Sequence, residues 1–225
     1  YDSIGKAKKT VNTASSIRSL FDGDDKIANF FKEVIAAVSA YSTNRIPEIA
    51  DEIYQIDEAM KAGFGWEAGT FETWDILGFN NVLKAIKASD FKVPEWINDF
   101  ESNGYNQFYI VENNQLKCYS LASGHYEIIP GTESLVVLEN YRSQSPVYGN
   151  KEASLHDIGE GVLCLEFHSK MNAIGSGTLA AINRSIEIAE MEGWNGLVIG
   201  NDAPNFSAGA NLAMMLMLAI EQELS

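Results

Sequence analysis

The sequence has few cysteines and no long apolar segment. Its two cysteines, Cys118 and Cys164, are too few for a disulfide framework in a chain of 225 residues. The longest apolar run, residues 212–220, is well short of the about 18 residues that a membrane-spanning helix needs. The first residues show no signal-peptide pattern. These absences predict a cytoplasmic protein without membrane insertion.

Positive charge is scarce as well. The chain has 16 lysines and arginines against 31 aspartates and glutamates, and its net charge is −15. A chain this acidic repels nucleic acid and anionic membranes, so neither is an expected partner. The three histidines, His125, His156 and His168, show no metal-ligand spacing, and we expect no metal. His156 and Glu160 are expected to form a surface pair in a loop.

The first two thirds of the chain change from a helical to a β pattern. Apolar residues at helical spacing predict helices over about 27–38, 46–60, 71–77, 81–88 and 94–104. Pro47 would lie in the permitted first turn of the second of these. Strands are predicted at 108–111, 116–120 and 125–129, with a tight turn at Asn113 and Asn114. We interpret residues 105–129 as an inserted meander without chemistry and residues 130–153 as a linker.

A second pattern begins near Ser154. Two short apolar runs, 162–167 and 197–199, are separated by an amphipathic stretch at 178–191. Strand, helix and strand in this order predict a parallel strand pair with a helical crossover. Cys164 is expected to be a small core residue of the first strand. The fold class is therefore predicted to be mixed α/β, with an all-α N-terminal part and an α/β C-terminal part.

A loop of small residues follows the second of these strands. Residues 207–210 are Ser-Ala-Gly-Ala, and a strongly apolar helical stretch starts at Leu212. Free backbone N–H groups at the positive end of a helix, beside side chains that admit a ligand, stabilise an oxygen that becomes negative during a reaction. An ordinary tight strand-to-helix turn has the same composition, so both interpretations stay open at this point.

The segment Phe206-Ser-Ala-Gly-Ala-Asn-Leu212 resembles the signature of the crotonase (enoyl-CoA hydratase/isomerase) superfamily. The resemblance implies that the backbone N–H of Ala210 is one donor to a thioester oxyanion. It also implies acyl-CoA contacts at Ser169, Lys170, Met171, Ala208, Gly209 and Leu212. Lys170 would suit a phosphate, or it is a solvated lysine of a loop. The family often has aspartate where this chain has Asn211, which leaves the backbone donor intact.

Residues 44–78 resemble the C-terminal helical domain of 3-hydroxyacyl-CoA dehydrogenases. The resemblance depends on Asp57-Glu-Ala-Met60, on Gly63-Phe-Gly65, and on Gly69-x-Phe71 followed by Asp75 and Gly78. The family usually has proline where this chain has Thr70. Asp57 and Asp75 are explained equally well as caps or as surface carboxylates.

A dehydrogenase helical domain followed by a crotonase domain is the order of one class of bacterial multifunctional fatty-acid β-oxidation enzyme. The resemblance implies a helical dehydrogenase-type domain at 1–104, the meander at 105–129, the linker at 130–153 and the first part of a crotonase domain at 154–225. It implies a parent enzyme that uses NAD and acyl-CoA thioesters. This chain would be a fragment that self-associates or packs with the missing parts of its parent.

The fragment alone is expected to be inactive. The resemblance implies that the NAD domain precedes it and that the second oxyanion donor and the catalytic glutamates follow it. Glu221 and Glu223 lie too close behind Ala210 to be those glutamates, and they fit a solvated helix end. One oxyanion donor contributes about 3–4 kcal/mol, whereas typical enzymes lower the barrier by at least ~8 kcal/mol. Gly175-Ser-Gly-Thr-Leu-Ala180 matches a dinucleotide pattern but does not directly follow a strand, so we expect no nucleotide there.

Two other functions remain possible from the sequence. A crotonase-fold isomerase or thioester hydrolase would share the Ala210 donor. A non-catalytic CoA-binding or assembly module would need neither acid nor base. The helix at 212–220 is apolar on every face, which predicts exposed apolar surface or self-association.

Overall fold

The computed structural model describes residues 1–142, 144–203 and 205–220. The chain divides into two compact units, residues 1–133 and residues 134–225. Helices and two small sheets are both present, which confirms the mixed α/β class. No helix in the described ranges is both long and apolar enough to cross a bilayer. The domain limits given above follow from the resemblance, and they remain predictions.

The first unit is mainly helical. Its described helices are α1 (Asp2–Ala7), α2 (Thr13–Phe21), α3 (Lys26–Thr43), α4 (Ile53–Phe64), α5 (Thr70–Leu77), α6 (Phe79–Ala88) and α7 (Glu95–Ser102). The sequence pattern did not predict α1 and α2. The predicted start of α4 near Ile46 is wrong, because Pro47 lies in a turn and the helix begins at Ile53. The Gln55 side chain fixes that start by accepting a hydrogen bond from the Glu52 N–H at 3.2 Å.

A three-stranded antiparallel sheet completes this unit. Its strands are β1 (Tyr109–Glu112), β2 (Gln115–Tyr119) and β3 (Tyr126–Ile128), paired in chain order. Asn113 and Asn114 both have positive φ, which confirms the tight turn between β1 and β2. Phe108, Cys118 and Tyr119 belong to the same buried core as the helices. The interpretation of residues 105–129 as an inserted addition is therefore wrong, because the sheet completes the core.

The second unit is built on a four-stranded sheet. Its elements are β4 (Tyr148–Gly149), β5 (Ala153–Asp157), β6 (Val162–Phe167), α8 (Ser176–Glu192), β7 (Gly196–Ile199) and α9 (Leu212–Ile220). The strands lie in chain order, and β6 pairs with β7 in parallel with Leu163 opposite Leu197. The predicted parallel pair with a helical crossover is confirmed. Strands β4 and β5 were not predicted, and β4 lies in the segment that we interpreted as a linker.

The two faces of this sheet bury different side chains. Leu155 and Leu165 lie in a core with Ala181 and Ile188 of α8. Alternate residues of the same strands point to the opposite face, where Ser154, His156, Cys164 and Glu166 are also buried. The prediction that Cys164 is a core residue is confirmed.

Candidate functional site

The loop between β7 and α9 is held by hydrogen bonds to the turn that follows β6. The Ala208 N–H donates to the Met171 carbonyl at 3.0 Å, and the Ser207 hydroxyl donates to the Asn172 carbonyl at 2.6 Å. Asn172 also donates from its Nδ2 to the Asn205 carbonyl at 3.1 Å. Three bonds therefore connect the two segments on which the sequence placed the candidate site.

Ala210 forms an isolated parallel bridge with Ile174. The Ile174 N–H donates to the Gly209 carbonyl at 2.8 Å, and the Asn211 N–H donates to the Ile174 carbonyl at 2.9 Å. In a parallel bridge the flanking residues make these bonds, and the N–H of the bridged residue points to the other side. Within the described residues the Ala210 N–H accordingly has no hydrogen-bond partner. Ala210 is also exposed.

This geometry leaves the Ala210 donor available. Its neighbours are fixed, because the Gly209 N–H donates to the Ser207 hydroxyl at 3.0 Å and the Asn211 N–H is bonded to Ile174. The loop turns at Gly209, whose φ of 85° is readily adopted only by glycine. A fixed, unpaired N–H is the property that a preorganised oxyanion donor requires.

The turn after β6 adopts a strained backbone beside this donor. Met171 and Asn172 have φ values of 57° and 52°, which are uncommon for residues with a Cβ. Asn172 is buried, and its two bonds to the Asn205–Ser207 segment offset the cost of that conformation. Sequence reasoning missed Asn172, because an asparagine in a loop is too common to indicate a long-range bond.

The other predicted contact residues lie around the same two segments. Met171 and Leu212 are 62% and 76% exposed, and Lys170 and Ala208 are exposed as well. Gly209 and Ser169 are partly buried, and the Ser169 hydroxyl donates to the Ala173 carbonyl at 2.6 Å. Lys170 makes no ion pair within the described part of the chain. The acyl-CoA contacts assigned to these residues remain predictions.

Helix α9 presents apolar side chains to the surface of its unit. Leu216, Met217 and Ile220 are 62%, 65% and 70% exposed. The sequence predicted exposed apolar surface here, and the described residues have it. Glu221 and Glu223, which we interpreted as a solvated helix end, lie outside the described residues.

The glycine pattern at 175–180 does not fit a dinucleotide. Gly175 caps α8 and is separated from β6 by the turn that contains Lys170–Asn172. The Glu152 carboxylate covers this helix end, where Oε2 accepts the Thr178 N–H at 2.9 Å. A Cβ built on Gly177 would lie 2.8 Å from the Glu152 carboxyl carbon. Because a carboxylate already occupies the place of a pyrophosphate, these residues do not fit NAD.

Asp57 and Asp75 of the first unit are structural acceptors. The Asp57 carboxylate is fully buried and accepts the N–H groups of Phe71 and Glu72, at 2.8 and 2.9 Å, in the first turn of α5. It also accepts the Tyr109 hydroxyl at 2.9 Å. Asp75 accepts the N–H groups of Phe108 and Tyr109 at 2.8–2.9 Å. Of the two interpretations left open, the structure supports a helix cap for Asp57. Asp75 of α5 fits neither interpretation, because it accepts N–H groups at the start of β1.

Burial dominates the ionisation of these two carboxyl groups. Desolvation raises the pKa of Asp57 to about 6, although the donors from Phe71, Tyr109 and Glu72 act in the opposite direction. Desolvation likewise raises the pKa of Asp75 to about 7, against the bonds from Phe108 and Tyr109. Both carboxyl groups connect helices to β1, so they stabilise the fold of the first unit.

The polar face of the second sheet contains a histidine cluster that sequence reasoning missed. His156 lies in β5 and is 5% exposed, so its interpretation as a surface partner of Glu160 is wrong. Its Nε2 lies 2.8 Å from the Ser154 hydroxyl oxygen, which also lies 2.7 Å from Nε2 of His168. Recognising β5 would have revealed the cluster, since Ser154 and His156 then share one face of a strand.

An apolar groove of about 1190 Å³ lies in the first unit between α3, α4 and their connection. Tyr41, Ile49 and Phe64 line it and are 65–70% exposed. None of the residues that we assigned to acyl-CoA contacts lines this groove. Among residues 1–142, 144–203 and 205–220, no group of three or more His, Cys, Asp or Glu side chains is placed to hold a metal ion.

Three curated proteins are similar to the chain over most of its length. A Bacillus subtilis (strain 168) protein named "Probable 3-hydroxyacyl-CoA dehydrogenase" is 37% identical over 212 residues, 94% of this chain and 26% of the relative. Proteins of Rickettsia felis (strain ATCC VR-1525 / URRWXCal2) and Rickettsia prowazekii (strain Madrid E) carry the provisional name fatty acid oxidation complex trifunctional enzyme. They are 27% and 25% identical over 96% and 90% of this chain, and over 26% and 25% of their own lengths.

These relatives are named as enzymes of fatty acid oxidation and 3-hydroxyacyl-CoA dehydrogenation, which supports the predicted kind of protein. The chain spans about a quarter of the length of the curated relatives it matches. No model of a known protein family matches the chain. No solved structure matches it either.

Proposed function

We propose that this chain contributes to a multifunctional fatty-acid β-oxidation enzyme that combines 3-hydroxyacyl-CoA dehydrogenase and enoyl-CoA hydratase activities. Residues 1–104 would supply a dehydrogenase-type helical domain, and residues 154–225 the first part of a crotonase domain. The names of the relatives support the dehydrogenase half, and the single observation that supports the crotonase half is the unpaired N–H of Ala210.

The Ala210 N–H would stabilise the thioester oxygen during hydration. Adding water across a double bond conjugated to a thioester places negative charge on the carbonyl oxygen. Ala210 offers a donor at that oxygen from a backbone fixed on both sides, so little reorganisation accompanies the reaction. Ser169, Lys170, Met171, Ala208, Gly209 and Leu212 would contact the coenzyme A thioester.

This donor alone does not complete the reaction. One donor contributes about 3–4 kcal/mol, and hydration also needs carboxylates that handle the water and the α-proton. The chain is therefore expected to be inactive in isolation, and a second donor and the glutamates would come from the remainder of the enzyme. NAD would accept the hydride in dehydrogenation, and the glycine pattern at 175–180 does not fit it.

The complete product of the gene that encodes this chain tests the proposal. It is expected to hydrate crotonyl-CoA and to oxidise 3-hydroxybutyryl-CoA with NAD, whereas residues 1–225 alone do neither. Absence of both activities from the complete, folded product would contradict the proposal. Isomerisation of a 3-enoyl-CoA or hydrolysis of the thioester, without hydration, would instead support the crotonase-fold alternative. Binding of acyl-CoA without turnover would identify a CoA-binding or assembly module.

A further inference from the structure

The polar face of the second sheet contains a serine hydroxyl between two imidazoles. The Ser154 oxygen lies 2.8 Å from Nε2 of His156 and 2.7 Å from Nε2 of His168. Ser154 and His156 are buried in β5, whereas His168 directly follows β6 and is exposed. Two of the three histidines of the chain therefore meet at one hydroxyl group.

A cavity of about 520 Å³ opens above this serine. Its polar lining consists of side chains that donate hydrogen bonds, namely Arg142, Gln144, Asn150, Ser154, His156 and His168. No carboxylate is among the described residues that line it. The chain has 31 acidic residues and a net charge of −15, so a lining without carboxylates differs strongly from the composition of the chain as a whole. We refer to this cavity as the His–Ser–His pocket.

Glu166, a buried carboxylate near the pocket, is paired with an arginine. Glu166 is 1% exposed, and its Oε1 accepts hydrogen bonds from Nη2 and Nε of Arg142 at 2.6 and 3.2 Å. Nη2 of Arg142 also lies 3.4 Å from the Asp202 carbonyl. The guanidinium is thus held in place at the wall of the pocket while 40% of its side-chain surface stays accessible.

The serine bridge involves Nε2 of each imidazole and leaves Nδ1 outside it. A single hydroxyl proton allows Ser154 to donate to one Nε2 and to accept from the other, so one neutral ring carries its proton on Nδ1. Within the described part of the chain, neither Nδ1 has a hydrogen-bond partner. An oxyanion would accept a hydrogen bond from that Nδ1–H, and it would favour protonation of the other Nδ1, which converts that ring to an imidazolium.

We propose that the His–Ser–His pocket binds a phosphate group, with His156, His168 and Arg142 as its donors. A phosphate matches the pocket because its oxygens accept several hydrogen bonds at once and its charge is opposite to that of an imidazolium or a guanidinium. The charged and titratable groups that face the two rings are Glu166 and Cys164 of β6 and Arg142 of the segment before β4. Arg142 compensates Glu166, so protonation of His156 would make the local charge positive. Burial lowers the pKa of His156, and a bound oxyanion would oppose that effect. Binding is therefore expected to strengthen as pH falls from about 8 to about 6.

Histidine NMR on the 225-residue chain tests this inference. Sodium phosphate, compared with sodium chloride at equal ionic strength, is expected to shift the ring proton signals of His156 and His168 in a saturable way. It is also expected to raise the apparent pKa of those rings. His125, which is exposed in the first unit, is the internal control and is expected not to respond. Equal responses of all three histidines, or no saturable response to phosphate, would overturn the proposal.

Matched variants distinguish phosphate binding in this pocket from a general attraction of phosphate to histidine charge. His168→Gln is expected to weaken phosphate binding at least about tenfold, whereas His125→Gln leaves it unchanged. Unchanged binding in folded His168→Gln would contradict the assignment. Since His168 is exposed, the His168→Gln variant is expected to fold. The phosphate titration of the unmodified chain tests the pocket independently of this variant.

Two sources of phosphate are distinguished by a second comparison. If the ligand is the 3′-phosphate of coenzyme A, coenzyme A shifts His156 and His168 at lower concentration than inorganic phosphate, and dephospho-coenzyme A does not shift them. If the ligand is a free phosphate, inorganic phosphate acts at the lowest concentration. Both results support the pocket, and neither depends on the Ala210 donor, so failure of the proposed hydratase activity leaves this inference testable.

Discussion

Single buried residues connect the elements of both units. Asp57 is the clearest example, because one carboxylate accepts two N–H groups of α5 and the hydroxyl of Tyr109. A charge-assisted hydrogen bond contributes about 1.5–3 kcal/mol, and loss of a helix cap costs about 0.5–2 kcal/mol. The carboxylate therefore determines how α4, α5 and β1 meet.

Replacing Asp57 is expected to be costly. Asp57→Ala leaves three donors without their acceptor, so the free energy of unfolding of the first unit should fall by about 3 kcal/mol. Asp51→Ala is the matched control, because Asp51 is exposed and should change the value by less than about 0.5 kcal/mol. Urea unfolding followed by the fluorescence of buried Trp74 measures both. Equal effects of the two variants would show that the buried bonds contribute nothing.

Asp75 is expected to make the stability of the first unit depend on pH. Burial raises its pKa to about 7 in the folded state, above the ordinary value of 3.8, so the folded state binds more protons between these values. This contribution is fully present below about pH 4 and is lost as pH rises through about 7. The unfolding free energy should therefore fall by about 2 kcal/mol between about pH 5 and pH 8.

Asp75→Asn separates this effect from the general acidity of the chain. The amide keeps an acceptor for the N–H groups of Phe108 and Tyr109 but has no proton to lose. The fall in unfolding free energy from about pH 5 to pH 8 should be smaller by about 1 kcal/mol or more in this variant. Asp51→Asn is the control and should keep the full dependence. An unaltered pH profile in Asp75→Asn would contradict the assignment.

Asn172 is expected to hold the loop that carries the Ala210 donor. Asn172→Ala removes the bond to Asn205 and places an ordinary side chain at a positive φ, which together cost about 2 kcal/mol. The Ala208 N–H, which is bonded to the Met171 carbonyl, should then exchange with solvent at least about tenfold faster.

Asn172→Gly keeps the backbone conformation and should have a smaller effect than Asn172→Ala. The Gly200 N–H, bonded to Leu165 in the sheet, is the internal control. Unchanged exchange at Ala208 in both variants would contradict a positioning function for Asn172.

At the scale of elements, the contact between α4 and α5 depends on one glycine. A Cβ built on Gly69 would lie 2.4 Å from the Asp57 Cβ and 2.5 Å from its Cα. The φ of Gly69 is −74°, so the side chain is excluded by space and not by backbone conformation. Gly63 in α4 is exposed, and a Cβ built there would meet no neighbouring side chain within 4 Å.

These two glycines form a matched pair of substitutions. Gly69→Ala should lower the unfolding free energy of the first unit by about 1–3 kcal/mol, because α5 must move away from α4. Gly63→Ala should raise it by about 0.5–1 kcal/mol, because alanine favours a helix interior over glycine. Thermal unfolding of the two variants, compared with the unmodified chain, measures whether each substitution lowers or raises the free energy of unfolding. A stabilised Gly69→Ala would show that the two helices are not in close contact.

Periodicity predicted the elements whose patterns are long and local. The spacing of apolar residues predicted the β6–α8–β7 crossover and the part of α3 from about 27 to 38, although α3 continues to Thr43. Periodicity did not predict β5, because polar residues such as Ser154 and His156 are expected on the solvent-exposed face of a strand and are buried here. The buried polar face also contains Glu166 of β6, which pairs with Arg142 24 residues away. Local patterns carry no information about such partners.

The same limit applies to the candidate site. The small residues at 207–210 and the positive helix end predicted an available donor, and the structure describes the Ala210 N–H without a partner among its residues. The bonds that position it join residues more than 30 positions apart, such as Ser207 and Asn172. For Asp57 and Asp75, the sequence did not separate a cap from a surface carboxylate, because their partners lie 14 to 52 residues away.

At the scale of the whole molecule, two independent units carry different parts of the proposed enzyme. The first has an aromatic core around Phe108, shared by its helices and its sheet. The second carries the donor loop, the His–Ser–His pocket and the exposed apolar helix α9. The exposed apolar side chains on α9 are the basis of our proposal that it packs against a further part of the parent protein or against another copy of the chain.

Hydration of crotonyl-CoA by the complete gene product, with and without the Ala210 N–H, tests the central claim most directly. Ala210→Pro removes that donor, whereas Ala210→Gly keeps it. We predict that the proline variant loses about 10²–10³ in kcat while the glycine variant stays within a few-fold of the unmodified enzyme. A folded Ala210→Pro enzyme with unchanged kcat would contradict the assignment of this amide to the oxyanion.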